Sequence, residues 1–250
     1  MNDNVTKASA VADAINTLLR NLVAKCTKSD GIRDYYYVGV IGYGGMGVAS
    51  AFQGPLSNKH LVPIGVIGNT PARVEKRSKR IADGKGGFVE RPYNFPVWFE
   101  EQAGGGTPMC AAFQLAVMVL KSWLVDHPHC FPPIVINITD GESTDGNPEE
   151  AANQLMSLAS SDGQILLFNL LLSSFSQQVI AYPESPSELE DEFAKQLFRI
   201  SSPLTSYLRR VLANEGYTVG EDSRGLVVHA DLSLLIRFLD IGTRPANLPV

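Results

Sequence analysis

The chain has 250 residues, 44% hydrophobic and 19% charged, a globular composition able to bury a sizeable core. Its formal net charge of −5 argues against a general nucleic-acid binder, because neutralising phosphate needs a basic surface. Cys26, Cys110 and Cys130 are odd in number and show neither disulfide nor metal spacing. There is no signal pattern at the N-terminus, and no apolar run, Ile165–Leu172 being the richest, reaches membrane-spanning length; a soluble, cytoplasmic protein is expected.

Taken in order, apolar residues from Ala8 to Val23 recur at three-four spacing after Asn4, which predicts an amphipathic helix ending before Ser29. Tyr35–Tyr43 and Leu61–Ile67 read as strands and Pro71–Ala82 as a short helix; Gly84–Gly106 is a long excursion rich in glycine and aromatics. Thr107-Pro108 opens a helix to about His127. Ile134–Thr139 is a strand with no polar side chain before Thr139 except Asn137, and Asn147-Pro148-Glu149-Glu150 starts a helix. A buried strand over Gln164–Leu172, helices over Ser187–Ile200 and Leu204–Ala213, a strand over Leu226–Ala230 and a helix over Leu232–Ile241 complete the chain. The alternation predicts an α/β fold: one domain over residues 1–250, a doubly wound, mostly parallel sheet with helices on both faces, and a helical elaboration at about 187–224.

The stretch VGVIGYGGMG carries Gly42, Gly44 and Gly47 at the G-x-G-x-x-G spacing of a dinucleotide site. Such a site needs a helix directly after the glycines to receive the pyrophosphate, and here Gly54-Pro55 shortens any helix to about a turn and a half. No acidic residue follows at the ribose position, although Arg73 suits a 2′-phosphate. An NAD(P)-dependent oxidoreductase using Gly42, Gly44 and Gly47 is therefore the alternative reading.

A second constellation pairs GGGTPM, with Gly106 and Thr107, and INITDGES, with Asp140, Gly141, Glu142 and Ser143. Asp140 falls at the carboxyl end of a strand, where parallel sheets bind ligands, and Thr107 at a helix N-terminus. A hydroxyl and a carboxylate are hard-oxygen ligands that suit Mg²⁺ or Mn²⁺. A helix cap and an Asp-Gly turn are the ordinary structural readings of the same residues.

Together and in this order the two stretches resemble the von Willebrand factor type A domain, in its intracellular bacterial branch. The resemblance implies that Thr107 and Asp140 are the second and third parts of a metal-ion-dependent adhesion site. It implies a non-enzymatic module that binds an acidic side chain of a partner protein through Mg²⁺ or Mn²⁺, with Gly106, Gly141, Glu142 and Ser143 around the ion. It further implies that VGVIGYG is the second strand of the fold, its glycines carrying no phosphate. The first part of the site, D-x-S-x-S, does not occur in these residues. Its strand is expected upstream of Met1, and the strands Tyr35–Tyr43 and Ile134–Thr139 are expected to flank its place.

Three other groups stand out. His127-Pro128-His129-Cys130 is too tight to close a zinc tetrahedron and reads as a helix-end loop. Arg73, Lys76, Arg77 and Arg80, with Lys79 and Lys85 nearby, share one face of the helix predicted there, either solvated or docking an acidic partner. Phe88–Phe99 is aromatic enough either to contact a partner or to cover the core.

Overall fold

The computed structural model describes residues 6–45, 47–82, 84, 87–101, 104–172, 178–230 and 232–242. The first residues of the helix expected from Asn4, together with Met46 and Lys85, lie outside them. The chain divides into two compact units, one of residues 1–41 and 50–102, the other of residues 42–49 and 103–250.

In the first unit, helix α1 (Lys7–Cys26) is capped by the Thr6 side chain, which accepts from Ser9 N. Its buried stripe of Ala12, Leu19, Leu22 and Cys26 packs with Phe52, Leu56, Ile64, Ile67, Trp98 and Phe99. Asn16, 1% exposed, sits inside that stripe. Its side chain donates to Phe99 O at 3.0 Å and accepts from Trp98 N at 2.9 Å. A buried amide is tolerable only when paired this way.

Three elements depart from the sequence expectation here, the expected excursion over Gly84–Gly106 holds a strand, and in the other unit the helix expected over Ser187–Ile200 begins only at Glu192. The strand over Tyr35–Tyr43 is broken into β1 (Tyr37–Val38) and β2 (Ile41–Gly44), and β2 turns back through β3 (Gly47–Ser50). The expected strand over Leu61–Ile67 is a two-residue β4 (Val62–Pro63), paired with β1, followed by helix α2 (Ile64–Asn69). Periodicity alone could not separate a short apolar strand from a buried helix here. The expected helix over Pro71–Ala82 is the strand β5 (Arg73–Ala82), joined along its length to β6 (Phe88–Val97) as an antiparallel ribbon. RVEKRSKRIA has good helix formers, but FVERPYNFPV, with two prolines and several β-formers, favours an extended partner, and pairing overrides local propensity. Strand geometry also splits the basic residues: Arg73, Arg77 and Lys79 face one side, Lys76 and Arg80 the other.

In the second unit the sheet has four strands among the described residues. It contains β7 (Ile134–Thr139), β8 (Leu166–Leu172), β9 (Ile180–Ala181) and β10 (Leu226–Ala230), in the order β9-β10-β8-β7. β8 runs parallel to both β7 and β10, while β9 is antiparallel, so the sheet is mixed. Five successive residues, Leu167–Leu171, are buried, so β8 is covered on both faces. The covering helices are α3 (Met109–Asp126), α4 (Glu149–Ser157), α5 (Glu192–Arg199), α6 (Ser206–Asn214) and α7 (Leu232–Gly242).

Helix α3 buries Met109, Ala112, Phe113, Ala116 and Leu120, a single stripe at helical spacing. It is also the one helix among the described residues long and apolar enough to cross a membrane by length and composition, a feature absent from the sequence expectation. The parallel, doubly wound order was expected to bring Tyr35–Tyr43 and Ile134–Thr139 to either side of a vacant position. In the described residues β2 pairs only with β3, and β7 ends the sheet. Contact between β2 and β7 is made by a side chain: the Tyr43 hydroxyl donates to the Ile138 carbonyl at 2.8 Å.

Candidate functional site

All the residues of the candidate site lie in the second unit, at the carboxyl end of β7. Thr139 closes the strand and shapes the turn after it: its hydroxyl donates to Gly141 O at 2.7 Å and accepts from Gly141 N at 3.2 Å. That local bonding leaves Asp140 exposed at the tip.

The loop before α3 meets this turn. Thr107 N donates to Thr144 Oγ1 at 2.8 Å, and Thr144 N donates back to Thr107 O at 2.9 Å. The Thr107 hydroxyl lies close to Gly141, where an added Cβ would stand 3.7 Å from Oγ1. A Cβ at Gly106 would meet Thr144 Oγ1 at 2.5 Å, so only glycine fits there without a shift. The structure thus brings Thr107 together with the Asp140-Gly141 turn.

Thr107 does not cap α3. The cap comes from the other loop: the Asp145 carboxylate accepts from Cys110 N at 3.0 Å and Ala111 N at 2.9 Å, and from Ser143 Oγ at 2.8 Å. Burial alone would raise this carboxyl's pKa, but the two amides and the hydroxyl together outweigh it and hold it below the ordinary aspartate value. Asp145 is thereby committed to the helix, and Ser143 to Asp145. Glu142 is exposed beside them.

The opening glycine stretch also belongs here. Gly45 N donates to Gly104 O at 2.7 Å, and an added Cβ on Gly105 would stand 2.0 Å from Gly45 Cα. Two backbones cross there at a separation that only glycine allows at Gly45 and Gly105. Gly42, Gly44 and Gly47 lie on the β2–β3 hairpin, so a strand rather than a helix follows them. Among the described residues no helix N-terminus stands there to receive a pyrophosphate.

Beneath the loops runs a buried polar chain that the sequence reading did not assemble. The Tyr43 hydroxyl approaches Asn137 Oδ1 at 2.6 Å; Asn137 Nδ2 donates to Asn169 Oδ1 at 2.9 Å; Asn169 Nδ2 donates to Ser201 Oγ at 2.9 Å; Ser201 Oγ donates to Leu197 O at 2.7 Å. Asn137, Asn169 and Ser201 are 4%, 0% and 0% exposed. Burial, with the negative charge of Asp140, pushes the Tyr43 pKa up, so its hydroxyl stays a neutral donor. A sequence signal existed: Asn137 and Asn169 each interrupt an apolar strand, and the ladder pairs them directly.

Burial raises the thiol pKa values of Cys26, Cys110 and Cys130, which keeps them protonated and weakly nucleophilic. His127 stacks on Trp123 with ring centroids 4.2 Å apart, and His129 Nδ1 lies 3.0 Å from Ser161 Oγ. Among the described residues no group of three or more His, Cys, Asp or Glu could hold a metal ion. Thr107 and Asp140 are two oxygen donors on adjoining loops, so a divalent cation there would draw most of its six ligands from water or a partner. No protein-family model matches the chain, and no curated protein matches it.

Proposed function

We infer that the chain is a non-enzymatic protein-interaction module of the von Willebrand factor A type, docking through the loops that hold Thr107 and Asp140. The observation that carries this reading is the meeting of those loops: Thr107 N donates to the Thr144 hydroxyl and Thr144 N donates back to the Thr107 carbonyl, with the Thr107 hydroxyl beside Gly141. A Mg²⁺ or Mn²⁺ ion at Thr107 and Asp140 would supply net positive charge to which a partner's Glu or Asp can add as a ligand. Gly106, Gly141, Glu142 and Ser143 would form the contact rim. The helix-covered sheet, with three strands parallel, supports the fold assignment.

The test is Mn²⁺ binding followed by electron paramagnetic resonance, with the chain, Thr107→Ala and Asp140→Ala, each with and without a glutamate-bearing peptide. Binding should be saturable, tightened by the peptide and lost in both variants. Equal binding by all three proteins would move the site elsewhere. Fluorescence titration with NADH and NADPH addresses the oxidoreductase alternative, and micromolar binding of either would displace the scaffold reading.

A further inference from the structure

The first unit carries 13 Lys and Arg against 9 Asp and Glu, a net +4, whereas the second carries 8 against 17, a net −9. Within the first unit the cations concentrate on the β5–β6 ribbon, far from neutrality in an acidic chain. Arg73 and Arg77 are held by carboxylates: Arg73 by Glu75 and Glu100, Arg77 by Asp13 and Glu75. Among the described residues Lys76, Lys79, Arg80 and Arg91 make no salt bridge, although Arg80 stands across the ladder from Glu90 and lies over the Phe88 ring, and Lys79 lies over Tyr93. Lys79 and Arg91 are direct cross-strand partners, a like-charge pair that disfavours the bare ribbon unless an anion lies nearby.

The two edges of this ribbon differ. Pro92 pairs with Ser78 and Pro96 with Val74. A proline cannot donate within the ladder, so these are non-hydrogen-bonded pairs, whose amide groups point away from the ribbon. By the same parity, the outward groups of β6 belong to Phe88, Glu90, Pro92, Asn94 and Pro96, and two of those five positions have no N–H. The outward groups of β5 belong to Val74, Lys76, Ser78, Arg80 and Ala82, and all five keep theirs. All five are exposed, and among the described residues β6 is the only strand paired with β5.

We propose that the outer edge of β5 is a docking strand, onto which an extended acidic segment of a partner protein adds as a third strand. The open ladder of five residues supplies the main-chain bonds, and Lys76 and Arg80, flanked by Lys79, select glutamate or aspartate in the added strand. The same charges repel the β5 edge of another copy of this chain, so a cationic edge both suppresses self-pairing and favours an acidic guest. This surface lies wholly in the first unit and does not depend on the Thr107–Asp140 site.

The probe is a fluorescein-labelled peptide alternating Glu and Thr, with a Gln/Thr peptide and a single-stranded oligonucleotide of the same length as comparisons, read by anisotropy. The Glu/Thr peptide should bind saturably, more tightly than the other two, and weaken with added salt. Ser78→Pro removes an outward amide without changing charge and should weaken binding by about tenfold or more. Glu90→Pro, on the edge already interrupted by proline, should bind at least as well as the parent chain. Amide exchange on the unmutated chain gives a second readout that needs no variant to fold. The amides of Lys76, Ser78 and Arg80 should gain protection with the peptide, while Arg77 and Lys79, already in the ladder, should not. Protection that fails to appear, a Ser78→Pro chain that folds and binds like the parent, or tighter binding of the oligonucleotide would each overturn strand addition.

Discussion

At the residue scale, Asp145 and Tyr43 hold the candidate site in place from above and below. Asp145 joins the two loops by capping α3 from outside its own sequence. Replacing it with alanine removes a helix cap, which typically costs about 1 kcal/mol of stability. Its folded pKa is depressed, so its contribution is present above the unfolded aspartate value of about 3.9 and is lost as pH falls through the folded value. Urea unfolding of parent and Asp145→Ala should therefore differ at neutral pH and converge in strong acid; a difference that persists there would remove the carboxylate from the explanation. Tyr43→Phe deletes the first donor of the buried chain and leaves Asn137 Oδ1 and Ile138 O short of a partner, a loss of about 1–3 kcal/mol. Combined with Asn137→Ala it should be markedly non-additive, since the two residues share one network; simple additivity in the double-mutant cycle would show that they act separately. Thr107 and Asp140 were legible in the sequence because glycine-flanked polar residues at element ends carry a local signature. Tyr43 and Thr144 were not, because their roles arise only when strands and loops distant in sequence come together; Asn169 carried a signal, a polar break in an apolar strand, but its pairing with Asn137 is set by the strand register.

At the element scale, legibility followed burial pattern and length. The long amphipathic α1, the apolar β7 and β8, and α3 lie close to their expected bounds: the two helices carry a stripe at helical spacing, and the two strands are apolar runs that stop at turn residues or at the end of the apolar stretch. The failures share a cause: each is a segment whose state is set by its partner. Residues 61–67 are apolar throughout and too short for periodicity to decide between strand and helix. Residues 73–82 have the composition of an exposed helix and are extended because β6 lies alongside them. The base of that ribbon is fixed by Asn16, which bonds Trp98 N and Phe99 O, and by Trp98 Nε1, which donates to Ile67 O at 2.7 Å. A synthetic peptide spanning residues 71–83, freed of β6, should become helical on addition of trifluoroethanol and show no strand signal in water by circular dichroism. A strand signal from the isolated peptide would mean that the extended state is intrinsic to β5 rather than imposed by pairing.

At the scale of the whole molecule, charge separates the two units more sharply than the net −5 suggests. The proposed cation would bind in the unit of net −9, so added Mg²⁺ acts there in two ways. Screening relieves repulsion among the 17 acidic residues of that unit and stabilises any folded variant, without saturating at one site. Site binding stabilises only a chain that holds the ion, by RT ln(1 + [L]/Kd), or about 2.7 kcal/mol at a hundredfold excess over Kd. For a chain of this size that corresponds to roughly 5–10 °C in melting temperature. The two effects separate by comparing Mg²⁺ with NaCl at equal ionic strength, in the parent and in Asp140→Ala. NaCl should raise both melting temperatures by the same small amount. Mg²⁺ should add a saturating increase in the parent that Asp140→Ala lacks, because the variant keeps almost all of the unit's charge and loses only the ligand. If the two proteins respond to Mg²⁺ in parallel, the ion acts by screening alone, and the Thr107 and Asp140 loops must then recognise their partner without it.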